Sequence, residues 1–158
     1  LTDNEIRELI HIAHEEGFPV MAHTNGSQAV RAAALAGVDS IEHGNFCDED
    51  ALQALAASDA VWVPTLVTVK NLFGDGRFPE QVVKHIWEGQ KKALLRGDQL
   101  GAKLALGSDA GAYRVLHGQG LLDEYRAFRE ILEEDFPDWE KRIQNGDRLI
   151  KERFSDTL

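Results

Sequence analysis

A chain of 158 residues, 43% of them hydrophobic, is long enough to bury one core and too short for most two-domain arrangements, so one domain or part of one is expected. Seventeen basic against twenty-seven acidic residues give a formal charge of −10, which repels phosphate backbones and anionic lipid and argues against nucleic acid or a membrane surface as partner. A neutral or cationic small-molecule substrate suits that field better.

Thr2 and Glu5 form a capping box, after which Ile6, Leu9, Ile10 and Ala13 recur at helical spacing until Gly17 stops the helix and Pro19 prevents its resumption. The apolar run 20–23 reads as a strand. Asn25-Gly26-Ser27 turns the chain, and the alanine-rich segment 28–36 reads as a helix offering Val30, Ala33, Ala34 and Leu35 to a sheet, ended by Gly37. A second strand spans 38–43. Asp48 caps a helix running to about Ala57, and Ala60-Val61-Trp62-Val63 is β-branched and aromatic enough for a third strand, closed by Pro64. Residues 65–78, with Gly74, Gly76 and Pro79 around an Asp-Gly turn, form a connection longer than the common length and are expected to be an active-site loop.

Val82, Val83, Ile86, Trp87, Ala93 and Leu94 mark a long amphipathic helix to about Arg96, with Trp62 and Trp87 assigned to the core and His85 to the surface. Lys103 to Leu106 is the fourth strand. Gly107, Gly111, Gly118 and Gly120 punctuate an irregular stretch, and two helices follow, with stripes Leu121, Tyr125, Phe128, Leu132 and Trp139, Ile143, Leu149, Ile150. The first residue is Leu, the only methionine is Met21 inside a strand-like run, and the sequence opens directly on a helix start, which reads as a piece of a longer protein. Cys47, the single cysteine, has no partner for an internal disulfide, and no apolar run approaches the roughly 20 residues that span a bilayer, so a reducing, cytoplasmic setting is expected.

Strand then helix, four times over, with no hairpin turn between strands, predicts an α/β fold with a parallel sheet and helices outside it. Four such units are half of an eight-stranded TIM (β/α)8 barrel, with the two further helices at the C-terminus. An open half-barrel leaves two unpaired strand edges, which calls for a homo-oligomer or a missing N-terminal half-barrel as partner.

Three strand ends carry metal-ligand side chains. His23 closes Val-Met-Ala-His-Thr, His43 closes Ser-Ile-Glu-His-Gly, and Asp109 follows Leu-Ala-Leu-Gly-Ser. The two histidines are twenty residues apart, about one strand–helix unit, so neighbouring parallel strands set them side by side, while barrel curvature brings Asp109 round toward the same axis. Two histidines and a carboxylate suit a divalent ion, zinc first, at roughly 2.0–2.2 Å with positions left open for water. Such an ion lowers the pKa of its water toward about 7, and Asp109, touching both, would accept the proton and pass it to a leaving amine or alcohol. Gly44, Gly107 and Gly111 would let backbone come close to the site.

Other polar residues read differently. His11 and His14, three apart on a helix beside Glu15 and Glu16, belong to a solvated face or a helix-end charge pair. Glu42 is expected on the opposite strand face from His43, paired with an outer-helix residue. His117, in His-Gly-Gln-Gly, either reaches substrate from a loop or hydrogen-bonds within it; Tyr113 and Arg114 are expected at the mouth. Cys47 has no activating base nearby and no nucleophile signature.

Val-Met-Ala-His-Thr-Asn-Gly, Ala-Gly-Val-Asp-Ser-Ile-Glu-His-Gly, Val-Pro-Thr-Leu and Ala-Leu-Gly-Ser-Asp-Ala-Gly together resemble the metal-dependent amidohydrolase superfamily, in its imidazolonepropionase-like and prolidase-like branch, from about Gly17 to about Phe128. The resemblance implies that His23 is the ligand after the fifth barrel strand, His43 that after the sixth and Asp109 the carboxylate after the eighth, with His117 the loop histidine of the His-Gly segment. It implies one or two divalent ions and residues 1–158 as strands five to eight of the barrel. The first-strand His-x-His pair, the fourth-strand lysine and the small β domain have no counterpart, and 129–158 is an atypical tail. The expected activity is hydrolysis of a C–N bond in an amide, cyclic amide or dipeptide by the complete enzyme, the chain alone being inactive. A non-catalytic half-barrel associating through its edges is the alternative; a deaminase or a lactonase/phosphotriesterase-type hydrolase ranks lower.

Overall fold

A computed structural model of the chain describes residues 1–155; the last three residues of the expected 1–158 domain lie outside the described residues. In chain order the elements are α1 (Asp3–Glu15), β1 (Met21–Thr24), α2 (Ser27–Ala36), β2 (Ser40–His43), α3 (Glu49–Ala57), β3 (Val61–Val63), α4 (Val67–Lys70), α5 (Glu80–Gln99), β4 (Lys103–Leu104), α6 (Gln119–Leu132) and α7 (Trp139–Phe154). The strands form one parallel sheet in the order β1-β2-β3-β4, so every crossover steps to the next strand, as in one half of a (β/α)8 barrel. Met21 stands opposite Ser40, Ser40 opposite Val61, and Val61 opposite Lys103.

Local chemistry sets most boundaries. Glu5 N donates to Thr2 Oγ1 at 3.3 Å and Thr2 N to Glu5 Oε2 at 2.7 Å, completing the capping box, and Asp48 Oδ1 accepts from Ala51 N at 3.0 Å at the start of α3. Gly37 ends α2 in the left-handed conformation at φ 87°.

Strand alternation then sorts the core. Ile41, Trp62 and Leu104 face the helices and pack with Val30, Leu55, Leu94 and Phe128, whereas Val61, Val63 and Ala105 face the other way and meet Leu149 and Ile150 of α7. Trp62 and Trp87 are both core residues, at 2% and 5% exposure.

Four details differ from the sequence reading. The long connection after β3 carries the short helix α4. The buried stripe of α6 is Glu124, Ala127, Phe128, Ile131 and Leu132, while Leu121 stays 47% exposed, because α6 packs on α4 and α5 through a face turned away from Leu121. β4 is two residues long, because beyond Ala105 its backbone is met by a side chain: Leu106 N donates to Asp147 Oδ1 at 3.0 Å.

That contact belongs to the fourth difference, which concerns the sheet edges. α7 lies on the β4 edge and crosses toward the start of β2, where Arg153 donates to the Asp39 carbonyl at 2.7 Å. Gly146 makes the approach possible, since a Cβ there would stand 1.9 Å from the Leu104 carbonyl oxygen. The β4 edge is therefore covered from within the chain, and the expectation of two open edges holds only for β1.

Candidate functional site

β1 and β2 are in register with His23 beside Glu42 and Thr24 beside His43, so both histidines come to the same end of the sheet. Their rings meet edge to face with centroids 4.5 Å apart. His43 Nδ1 lies 2.7 Å from Thr65 Oγ1, just past β3, which leaves Nε2 free of that contact. When Nδ1 carries the proton, Nε2 presents its lone pair.

The backbone explains why His43 turns this way. His43 at the end of β2, and Thr65 and Asp109 in the connections after β3 and β4, all have left-handed φ values, at 67°, 50° and 54°. Non-glycine residues rarely take that conformation, and three of them at matching strand ends mark a face where side chains are re-aimed at an energetic cost. Trp62 supports the first of these turns by donating from Nε1 to the His43 carbonyl at 2.8 Å. Gly44 and Gly107 admit the close packing behind it: a Cβ at Gly44 would stand 2.7 Å from Trp62 Nε1, and one at Gly107 would stand 2.3 Å from Val63 Cγ1. Gly111, also expected to permit close approach, faces open space.

The break in alternation at His43 also corrects the placement of Glu42. With Ile41 turned into the outer core, Ser40 and Glu42 face inward, and Ser40 Oγ donates to Glu42 Oε1 at 2.7 Å. Glu42 lines a cavity of about 420 Å³ with Met21, Val63, Leu106, Asp147 and Ile150, in place of the expected pairing with an outer helix. His43 reaches the same end of the sheet because its own φ departs from the strand geometry.

Mutual electrostatics tie the group together. Burial, then the charge of His23, lower the His43 pKa, while Asp109 acts in the opposite sense. Burial raises the Glu42 carboxyl, its bond from Ser40 opposes the shift, and Asp109 reinforces it. His23 and Asp109 thus each act on both Glu42 and His43 at electrostatic range.

The donor chemistry, two imidazoles with one Nδ1 fixed by a hydroxyl, fits a divalent cation. Asp109 itself is exposed, and among the described residues no three His, Cys, Asp or Glu side chains stand close enough to hold one ion. The structure therefore brings together His23 and His43 and leaves Asp109 at electrostatic range.

The remaining candidates line two loops stitched to each other. Arg114 Nε donates to Asp75 Oδ1 at 2.5 Å and Tyr113 OH to Asp75 Oδ2 at 3.0 Å, and the Arg114 contact holds the Asp75 carboxyl below its usual range. Asn71 Nδ2 adds a bond to the Arg114 carbonyl at 3.0 Å. His117 is exposed on the second loop. His14 pairs with Asp39 at 2.8 Å and His11 with Glu15 at 3.4 Å, as helix-end and surface charge partners. Cys47 donates to the Gly44 carbonyl at 3.1 Å, and burial pushes its thiol up to about 12, which rules out a reactive thiolate near neutral pH.

Thr65 and Glu42 were not identified as functional from the sequence. Val-Pro-Thr-Leu and Ser-Ile-Glu-His contain the signal, but the Thr65–His43 contact spans 22 residues and depends on two left-handed backbones.

No family profile matches the chain. A protein of Mycobacterium tuberculosis is 27% identical over 136 residues, covering 82% of this chain and 36% of its own length. Among solved structures, a Xaa-Pro dipeptidase with methionine bound in its active site superposes with a TM-score of 0.70 at 26% identity, over 92% of this chain and 36% of that enzyme. A prolidase complexed with N-methylphosphonate-L-proline gives a TM-score of 0.67 at 31% identity, over 84% and 33%. The chain thus spans about a third of the length of the proteins it matches.

Proposed function

We propose that this chain, which is similar to about a third of prolidase and dipeptidase structures, is the C-terminal half of an amidohydrolase-type barrel and supplies part of the metal site of a hydrolase acting on a C–N bond in an amide, cyclic amide or dipeptide. The observation that carries the reading is the His23–His43 pair, edge to face at 4.5 Å at the end of β1 and β2, with Nδ1 of His43 held by Thr65.

His23, His43 and Asp109 are the proposed ligands, and zinc is the ion the donor set suits first. A divalent ion bound there supplies Lewis acidity, lowering the pKa of water toward about 7 and polarising the substrate carbonyl. The chain's own residues do the rest. Burial of His43 favours its neutral, electron-donating form. Asp109 accepts a proton from the attacking water and delivers it to the leaving amine. Tyr113, Arg114 and His117 sit on the connection after β4, one of the loops that face substrate in such barrels, and the Asp75 bonds fix the first two. Residues 1–158 would then be strands five to eight of a longer enzyme whose small-molecule substrate is a proline-containing dipeptide or a related amide.

The test is titration of Co²⁺, a spectroscopic stand-in for zinc, into the purified chain. Visible absorbance saturating at one equivalent, lost in His23→Ala and in His43→Ala, supports the site. Equal cobalt spectra in wild type and both variants would overturn the ligand assignment.

A further inference from the structure

Glu124 is the one fully buried carboxylate of the described core whose side chain touches no cation, and its two oxygens have a single task. Oε1 accepts from Leu66 N and Oε2 from Val67 N, each at 2.9 Å, across 58 and 57 residues of sequence. Lys70, a basic side chain whose charge influences it, is paired with Glu130 at 2.5 Å. The segment it grips begins with Thr65, 3% exposed and left-handed at φ 50°, whose hydroxyl meets His43 Nδ1 at 2.7 Å.

We propose that Glu124 is a positioning residue for His43: by clamping the Leu66 and Val67 amides it fixes the turn that aims the Thr65 hydroxyl at Nδ1. The inference deepens the reading of His43 as a ligand and depends on it only for its consequence.

The physical reason lies in what each group can and cannot do. Two adjacent amides pointing the same way need two acceptor oxygens in a fixed fork, which a carboxyl group provides even when it holds a proton and a glutamine, with an NH2 donor on one arm, does not. Thr65 has no intrinsic preference for a left-handed backbone, so the turn must be held from outside. Thr68 contributes from within, donating its N–H at 3.1 Å and its hydroxyl at 2.8 Å to the Thr65 carbonyl. Glu124 supplies the anchor from α6, an element that follows β4, and so links the end of the chain to the β2 strand end. With the hydroxyl fixed as acceptor, the Nδ1 proton is retained and Nε2 keeps its lone pair for a ligand.

The experiment reads the His43 ring directly, in the metal-free chain, by long-range proton–nitrogen NMR. The wild type is expected to show one tautomer, protonated on Nδ1. Glu124→Gln and Thr65→Val should each move the two ring nitrogens toward averaged shifts, Thr65→Ser should restore the single tautomer, and His14 should stay unchanged as an internal control. Glu124→Asp, which keeps the carboxyl group but withdraws it by one methylene, provides a second route if the glutamine variant does not fold. A wild-type His43 protonated on Nε2, or folded Glu124 variants with unaltered His43 shifts, would overturn the proposal. A parallel cobalt titration should show affinity reduced by about 10-fold or more in Glu124→Gln, the scale typical of lost outer-shell partners. Absence of cobalt binding in the wild type would sink the metal-site reading while leaving the tautomer result to decide this one.

Discussion

Gly146 offers a prediction whose sign separates tertiary contact from intrinsic propensity. At an open site in a helix interior, Gly→Ala stabilises by about 1 kcal/mol. In α7, however, the added Cβ would lie 1.9 Å from the Leu104 carbonyl oxygen and 2.6 Å from its carbon, both backbone atoms of β4 that cannot swing aside. Restoring an ordinary 3.4 Å contact requires the helix to retreat by about 1.5 Å. That retreat stretches the 3.0 Å bond from Leu106 N to Asp147 and draws Leu149 and Ile150 off Val61 and Val63. Overpacking costs about 1–3 kcal/mol and loss of a hydrogen bond to a charged group about 1.5–3 kcal/mol. Set against the propensity gain, Gly146→Ala should destabilise by about 2–4 kcal/mol, or roughly 5–15 °C in Tm for a chain of this size. Urea unfolding followed by circular dichroism and tryptophan fluorescence measures it. Gly89→Ala in α5, where a Cβ would meet nothing within 4 Å, is the control and should stabilise. If Gly146→Ala stabilised as much as Gly89→Ala, α7 would not be seated on β4.

Three further outcomes are expected. Asp147→Ala should expose the Leu106 amide, read as faster hydrogen exchange there and as a concentration-dependent rise in mass from edge pairing; unchanged exchange at Leu106 would count against the edge-covering role. Trp62→Phe should cost about 1–3 kcal/mol, because the half-buried His43 carbonyl loses its indole donor, and a neutral result would mean that the bond contributes nothing to the turn. Burial raises Glu124 from its ordinary 4.5 to about 8, against the pull of its two backbone donors, so the folded chain holds a proton that the unfolded chain has released. Its contribution is complete below about 4.5 and is lost as pH rises through about 8, so stability relative to Glu124→Gln should fall across that window; a pH-independent difference would refute the shift.

The site was partly legible because strand ends in a parallel sheet are marked locally. The apolar runs that end in His23, His43 and the Gly-Ser-Asp before Ala110 announce themselves through period and punctuation, and the spacing of the two histidines matches one strand–helix unit. Glu42 was misplaced for an equally physical reason. Alternation assigns Glu42 and His43 to opposite faces, and only the left-handed backbone at His43 returns both to one end of the sheet. Thr65 and Glu124 lie outside any local pattern, since their roles rest on contacts over 22 and 58 residues.

α7 shows the same division. Its amphipathic stripe of Trp139, Ile143, Leu149 and Ile150 is visible in the sequence, but a stripe does not say what it covers. The alternation of strands and helices, the caps of α1 and α3, and the residue types at the strand ends are all local, because they follow from propensities and side-chain bonds within a few residues. Long-range packing places α7 on the β4 edge, sets Asp109 apart from the histidine pair, and brings the buried carboxyl group of Glu124 from α6 to the turn behind His43. Those outcomes depend on which distant surfaces meet, and packing sets that for the whole chain at once.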